Sequence, residues 1–132
     1  MKRIFLAAML MVFSFHLASL AAAANPEEIS VKEAAVASSI KDLAPEGAAK
    51  NFPSNAGKLY CYSLIINGQG SSIVHKWYHK GNLRAAVPLA IRYPRHRTYS
   101  RKTIFPGSEG DWRVEITKGD GTVLKVLTFK VE

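Results

Sequence analysis

The chain has 132 residues, with 18 Lys and Arg against 10 Asp and Glu, and a formal net charge of +8. This length suits a single domain, and the presence of only one cysteine, Cys61, excludes an internal disulfide. A positive charge of this size favours anionic partners in general.

The first 24 residues have the layout of a secretory signal peptide. A basic start, Lys2 and Arg3, precedes an apolar stretch that ends in the small residues 22–24. We expect cleavage before Asn25, which leaves about 108 residues and lowers the formal charge to +6, because only Lys2 and Arg3 are lost.

The alternative interpretation of residues 1–24 is a retained membrane anchor, although the polar Ser14 and His16 interrupt its apolar run. No later segment is apolar over a sufficient length, so we expect no stable membrane span after cleavage. Export argues against a nucleic-acid partner, because the abundant anions outside the cytoplasm are lipid head groups, envelope polymers and acidic sugars.

Residues 25–30 are predicted as a flexible leader, and residues 31–132 as the folded domain. The alternating run before Pro45 is predicted to be a first strand, which the proline ends. Residues 46–57 are predicted as a linker or a short helical turn, punctuated by Pro53 and Gly57.

The remaining segments have clearer strand patterns, rich in aromatic and β-branched residues. They are KLYCYSLIING, two strands around a turn in SSIVHKWYHKGNLRAAVPLAI, RTYSRKTIF before Pro106-Gly107, and the hairpin DWRVEIT with VLKVLTFKVE around residues 118–121. Pro88 indicates an edge strand or a bulge. About seven short strands with little helix predict an all-β fold: a single immunoglobulin-like antiparallel β-sandwich.

Strand alternation places Trp77 and Trp112 in the core, with His75 half-buried and hydrogen-bonded beside Trp77. His79, nearer the strand end, is predicted to be solvent-exposed. Four residues of strand span about 13 Å, so His75 and His79 cannot share one ion at bond lengths of about 2 Å. We predict no metal site and no cofactor, and an inert buried thiol at Cys61, which lies in an apolar run.

No catalytic motif is found. There is no Gly-x-Ser-x-Gly sequence. The acids Glu109, Asp111 and Glu115 lie on or near one hairpin strand, where solvated charge is the simpler interpretation, rather than across a cleft as a glycosidase requires. We therefore predict that the protein is not an enzyme.

The run RYPRHRTYSRK, residues 92–102, is basic and contains no acid. On a strand, Arg95, Arg97, Tyr99 and Arg101 would face one way, and His96, Thr98, Ser100 and Lys102 the other. The run would then be an edge strand that its charges protect against pairing, or it would hold a structural arginine bound to its own chain. The functional alternative is an anion- or partner-binding patch of Arg95, Arg97, Arg101 and Lys102, with His96 and Tyr99, since the arginine fork matches carboxylate, phosphate or sulfate.

Taken together, these segments resemble a bacterial family catalogued as domain of unknown function 2914. The resemblance runs from about Val31 to the last residue and rests on LYCYSLI, IVHKWYHKG, PRHRTYSRKTIFPG, GDWRVEI and DGTVLKVLTFKV in this order. The family pattern maps onto His75, Trp77 and Tyr78; onto Arg95, Arg97, Thr98, Ser100 and Lys102; and onto Gly110, Trp112, Arg113 and Val114.

Two positions depart from the family pattern. His96 stands where tryptophan is frequent, and Ala44-Pro45 stands where Glu-Pro is frequent, so a ligand contact at either position would differ in this chain. The resemblance implies an exported or membrane-tethered accessory module and implies no activity.

The prediction is therefore a periplasmic or secreted, non-catalytic binding module of the bacterial envelope that recognises an anionic glycan, lipid or protein surface through the basic strand. The alternative is a structural protein-protein interaction module that associates by a sheet edge or face, with the basic run serving only solubility.

Overall fold

The computed structural model describes residues 28–132, which form a sandwich of two β-sheets. The predicted signal peptide and its cleavage site before Asn25 lie outside the described residues. Nothing helical in the described part is long and apolar enough to cross a bilayer.

Nine strands make up this part of the chain. They are β1 (Ser30–Lys41), β2 (Ala44–Ala48), β3 (Asn51–Phe52), β4 (Lys58–Ile66), β5 (Ser71–His79), β6 (Asn82–Ile91), β7 (Arg95–Thr103), β8 (Gly110–Lys118) and β9 (Val123–Val131). One sheet has the order β2-β1-β4-β7 and the other has the order β3-β9-β8-β5-β6. Neighbouring strands are antiparallel except β3 and β9, which are parallel.

The prediction of an antiparallel sandwich is confirmed, but the linker predicted at residues 46–57 is wrong. Most of β2 and all of β3 lie within it, and β2 pairs with the end of β1. The hairpin turn consists of Asp42 and Leu43, both with positive φ, at 52° and 55°. Such a turn matches the twist of a hairpin, but the sequence usually signals it with Asn-Gly or Asp-Gly. Because leucine occupies the second turn position, the sequence carries no recognisable hairpin signal here.

The core lies between the sheets and follows strand alternation. The four-stranded sheet contributes Leu59, Cys61 and Ile65, and the five-stranded sheet contributes Ile73, Trp77, Val114 and Ile116, all with no exposed surface. Phe129 packs edge-on against Trp77, with ring centroids 6.2 Å apart. Pro88 lies in β6, which is an edge strand as predicted.

A hydrogen-bonded polar cluster crosses this apolar interior. The two ring nitrogens of His75 on β5 lie 2.9 Å from Ser63 Oγ on β4 and 2.7 Å from Ser100 Oγ on β7. Trp77 donates its indole N–H to the same Ser100 hydroxyl at 3.1 Å. His75 is fully buried rather than half-buried, and burial lowers its pKa to about 4. These bonds link three strands of the two sheets.

Gly68 is surrounded by three isoleucines. A Cβ placed there would lie 2.8 Å from Ile29 Cδ1, 2.9 Å from Ile65 Cγ2 and 3.1 Å from Ile91 Cγ2. We expect Gly68→Ala to lower the free energy of unfolding by about 1–3 kcal/mol, because the core must move to admit the methyl group. Urea unfolding measures this. The control is Gly119→Ala, where an added Cβ meets nothing within 4 Å; equal losses in both variants would contradict the steric explanation.

His75 makes stability dependent on pH. Its pKa is about 4 in the folded chain, against an ordinary value of 6.5, so the unfolded chain binds more protons between these values. The free energy of unfolding should therefore fall as pH drops from 6.5 towards 4, by up to about 3 kcal/mol from this residue.

The measurement is urea unfolding across this pH range in the wild type and in His75→Gln. The glutamine variant keeps every carboxylate but cannot titrate at residue 75, so the difference between the two slopes isolates His75. The variant should be less stable near neutrality and lose less stability on acidification. Parallel slopes would show that His75 does not control the acid sensitivity.

Candidate functional site

Strand β7 is the outer strand of the four-stranded sheet, and it carries most of the basic run. It pairs along its whole length with β4, from Ile66↔Arg95 to Lys58↔Thr103. Because Ser100 points into the core and bonds to His75, its neighbours along the strand alternate about it. The predicted division of this strand into two faces therefore agrees with the structure.

The outward side of β7, here called the arginine face, consists of Arg95, Arg97, Tyr99 and Arg101. All four side chains are exposed. Strand geometry separates Arg95 from Arg97 by about 7 Å and Arg97 from Arg101 by about 13 Å along the chain. The Tyr99 ring meets the Tyr60 ring of β4 at a centroid distance of 6.1 Å and an angle of 62°, so an aromatic pair lies among the guanidinium groups.

The guanidinium groups of the arginine face form no ion pair within residues 28–132. The ion pairs of this part of the chain join Arg113 to Glu115, Lys118 to Asp120 and Lys130 to Asp111. The Glu33 side chain on β1 lies on the same side of the sheet as these arginines. Its carboxylate accepts a hydrogen bond from the Tyr62 hydroxyl at 3.4 Å instead of pairing with an arginine. Burial raises the pKa of Tyr62, and the nearby Arg97 charge opposes this rise.

Two of the six predicted binding residues lie on the other side of β7. The Arg92 backbone N–H donates to His96 Nδ1 at 3.1 Å, and the His96 ring stacks on Tyr93 with centroids 5.4 Å apart. Lys102 donates from Nζ to the Thr103 carbonyl at 3.1 Å. His96, one of the two positions at which this chain departs from the family pattern, is therefore in contact with its own chain.

Arg113 shows what an internally satisfied arginine looks like in this fold. Its guanidinium carbon lies 3.9 Å from the centroid of the Tyr78 ring, and its Nε donates to Glu115 at 3.2 Å. The carboxylate binds one N–H of this guanidinium group, and the Tyr78 ring covers one of its faces. Within residues 28–132, the three arginines of the arginine face have neither an ion pair with a carboxylate nor a ring beneath the guanidinium group.

The prediction that His79 is solvent-exposed is wrong. Only 7% of its surface is exposed, its Nε2 lies 2.8 Å from the Glu109 carbonyl oxygen, and its ring stacks on Trp112 at 4.6 Å. These partners belong to the loop before β8 and to β8 itself, far along the chain, so a local pattern could not indicate them. Within the described residues, no group of three or more His, Cys, Asp or Glu side chains is placed to hold a metal ion.

Cys61 lies at the centre of β4, fully buried. Burial raises the pKa of its thiol to about 12, so the thiolate that reacts with disulfides and electrophiles is scarcely populated. The prediction of a buried thiol is confirmed.

In the comparisons with known proteins, part of this arrangement matches a family. Residues 70–131 match the family described as "Protein of unknown function (DUF2914)". The match begins just before β5 and ends with β9, so it includes the strands that carry His75, Trp77, the arginine face and Trp112. It does not include β1 or β4. Comparison with curated proteins gives no significant match.

Among solved structures, the chain is similar to the CARDB domain of a protein from Pyrococcus furiosus, whose crystal structure is of a complex with di-metal ions. The TM-score is 0.51 and the identity is 18%, over 80% of this chain and 91% of that chain. At this identity the likeness concerns the fold alone, which is immunoglobulin-like. The chain is therefore an immunoglobulin-like β-sandwich whose residues 70–131 match the family of unknown function DUF2914, the family that its sequence motifs resemble.

Proposed function

We propose that this protein is an exported, non-catalytic binding module of the bacterial cell envelope and that its arginine face recognises an anionic partner. The observation that carries the proposal is the set of three exposed guanidinium groups on one side of an edge strand, without an ion pair to residues 28–132. An arginine fork bonds to carboxylate, phosphate or sulfate through two parallel N–H groups, which makes it specific for such groups.

The surroundings of the arginines support a ligand of some length. Arg95 and Arg101 are separated by about 20 Å of strand, so a partner that meets both must be an extended chain or a surface. Tyr99 and Tyr60 lie between the charges and offer aromatic rings against which a sugar could stack. We therefore favour a polyanionic envelope component over a single small anion.

A catalytic role is disfavoured by the burial of the reactive groups. Ser63, His75 and Ser100 are hydrogen-bonded to one another but have at most 3% of their surface exposed. A substrate cannot reach these hydroxyl groups without opening the sandwich. The thiol of Cys61 is equally enclosed.

The experiment compares two variants of equal charge. In the first, Arg95, Arg97 and Arg101 are all changed to Ala; in the control, the exposed Lys41, Lys50 and Lys125, none of them on β4 or β7, are changed to Ala. Each variant loses three positive charges, so general electrostatics change equally. The probes are dextran sulfate, polygalacturonate and vesicles of phosphatidylglycerol with phosphatidylcholine, with dextran and pure phosphatidylcholine as neutral counterparts.

We expect the wild type to bind at least one anionic probe at low salt and to release it as salt rises. The arginine variant should bind at least tenfold more weakly than the control variant, because each arginine near an anionic surface contributes about 1 kcal/mol. Equal binding by the two variants would overturn the proposal. A pull-down from envelope extract tests the alternative: if the arginine variant recovers the same protein partner as the wild type, association through a sheet edge is favoured instead.

A further inference from the structure

A cleft opens between the two sheets on the opposite side of β7 from the arginine face. It lies where the edge strands β6 and β7 approach each other, at the end of the sandwich where β5 and β7 finish. We call it the edge cleft, and its volume is about 350 Å³, which is within the range of small-ligand pockets. Its lining includes His79, Arg84, Lys102, Phe105, Ser108 and Trp112.

The charge of the edge cleft is positive. Arg84 and Lys102 both line it, and neither forms an ion pair with residues 28–132. No Asp or Glu side chain is among the lining residues. Glu109 follows the lining residue Ser108 in the sequence, but it contacts His79 through its backbone carbonyl oxygen and not through its carboxylate. Two cations beside low-dielectric aromatic walls attract an anion more strongly than they would on a flat surface.

The edge cleft also presents an aromatic surface. Phe105 is 63% exposed, although its backbone is fixed on both sides: Ile104 donates to the Gly57 carbonyl at 2.7 Å, and Ser108 donates to the Phe105 carbonyl at 3.1 Å. The ring is thus held outward on an anchored segment. Lys102 Nζ lies 5.8 Å from its centroid, so the ring and one cation lie side by side.

The rear wall of the edge cleft is rigid. His79 and Trp112 stack on each other, and Trp112 stacks in turn on Phe129 at 5.9 Å. Trp112 Nε1 donates to the Ser108 carbonyl at 2.7 Å, which ties the loop after Phe105 to this stack. Contacts within the protein therefore hold the rear wall in place before any ligand enters.

We propose that the edge cleft binds a single anionic group carried on a six-membered ring, with the anion between Arg84 and Lys102 and the ring on Phe105. A carboxylate or a phosphate fits the two cations, and the flat side of a sugar or of an aromatic ring fits the phenylalanine. This site goes beyond the arginine face and stands without it, since it uses different residues on the other side of β7.

The test uses the indole N–H signals of the two tryptophans in a ¹⁵N–¹H correlation spectrum of the mature chain. Trp112 lines the edge cleft, and the fully buried Trp77 serves as the internal reference. The probes are phenyl phosphate and glucuronate, with benzyl alcohol and glucose as uncharged counterparts. We expect a saturable shift of the Trp112 signal with at least one anionic probe and none with the neutral ones; which anionic probe binds distinguishes an aromatic from a sugar ring.

Adjacent residues supply matched variants. Lys102→Met keeps the aliphatic stem and should weaken binding of the probe at least tenfold, and Arg84→Met should do the same. Arg101→Met removes an equal charge from the arginine face and should leave this binding unchanged. The proposal is overturned by the absence of a saturable shift in the wild type, by unchanged affinity in Lys102→Met, or by an equal loss in Arg101→Met. An equal loss in Arg101→Met would indicate that the probe binds through the overall positive charge of the protein. None of these three results affects the interpretation of polyanion binding to the arginine face.

Discussion

The buried bond between Ser100 and His75 determines what β7 can present to solvent. Side chains alternate along a strand, so fixing one hydroxyl inward fixes the side of every neighbour. Arg95, Arg97 and Arg101 must then point outward, and Lys102 must point towards the gap between the sheets. A shift by one residue would turn three guanidinium groups into an apolar interior, at a cost of several kcal/mol for each unpaired ion. The hydrogen-bonded cluster and the arginines thus enforce the same register from opposite sides of the strand.

The cluster also explains why polar residues occupy inward-facing positions in strands whose other inward-facing residues are apolar. His75 and Trp77 lie on β5, and Ser63 and Ser100 lie on β4 and β7, so the bonds join the two layers at one level of the sandwich. Apolar contacts between sheets are non-directional and permit sliding. Directional bonds from a histidine held between two serines do not, and this gives the sandwich a defined relative position of its layers.

Much of the fold could be predicted from residue 58 onward, because the strands there alternate clearly and end at Gly, Asn or Pro. The two short strands before it could not, since alanine, glycine and proline dominate β2 and its turn uses Leu43. The arginine face followed from alternation alone. The edge cleft did not, because Arg84 lies on β6 while Lys102 and Phe105 lie on β7 and just after it, and only the packing of β6 against β7 brings these two segments together. The burial of His79 could not be predicted for the same reason, because the loop that covers it is thirty residues further along the chain.

Cys61 pairs across the sheet with Val36 on one side and Ser100 on the other, so its thiol lies beneath the middle of the four-stranded sheet. An oxidant can reach the sulfur only when the two layers separate. In an oxidising compartment, the folded chain would therefore keep its cysteine reduced, while in each molecule that opens the Cys61 thiolate could attack a small disulfide, forming a mixed disulfide and releasing one thiol. The space that holds the Cys61 thiol has no room for a bulky adduct. Molecules oxidised at Cys61 after opening would therefore be unable to regain the native structure.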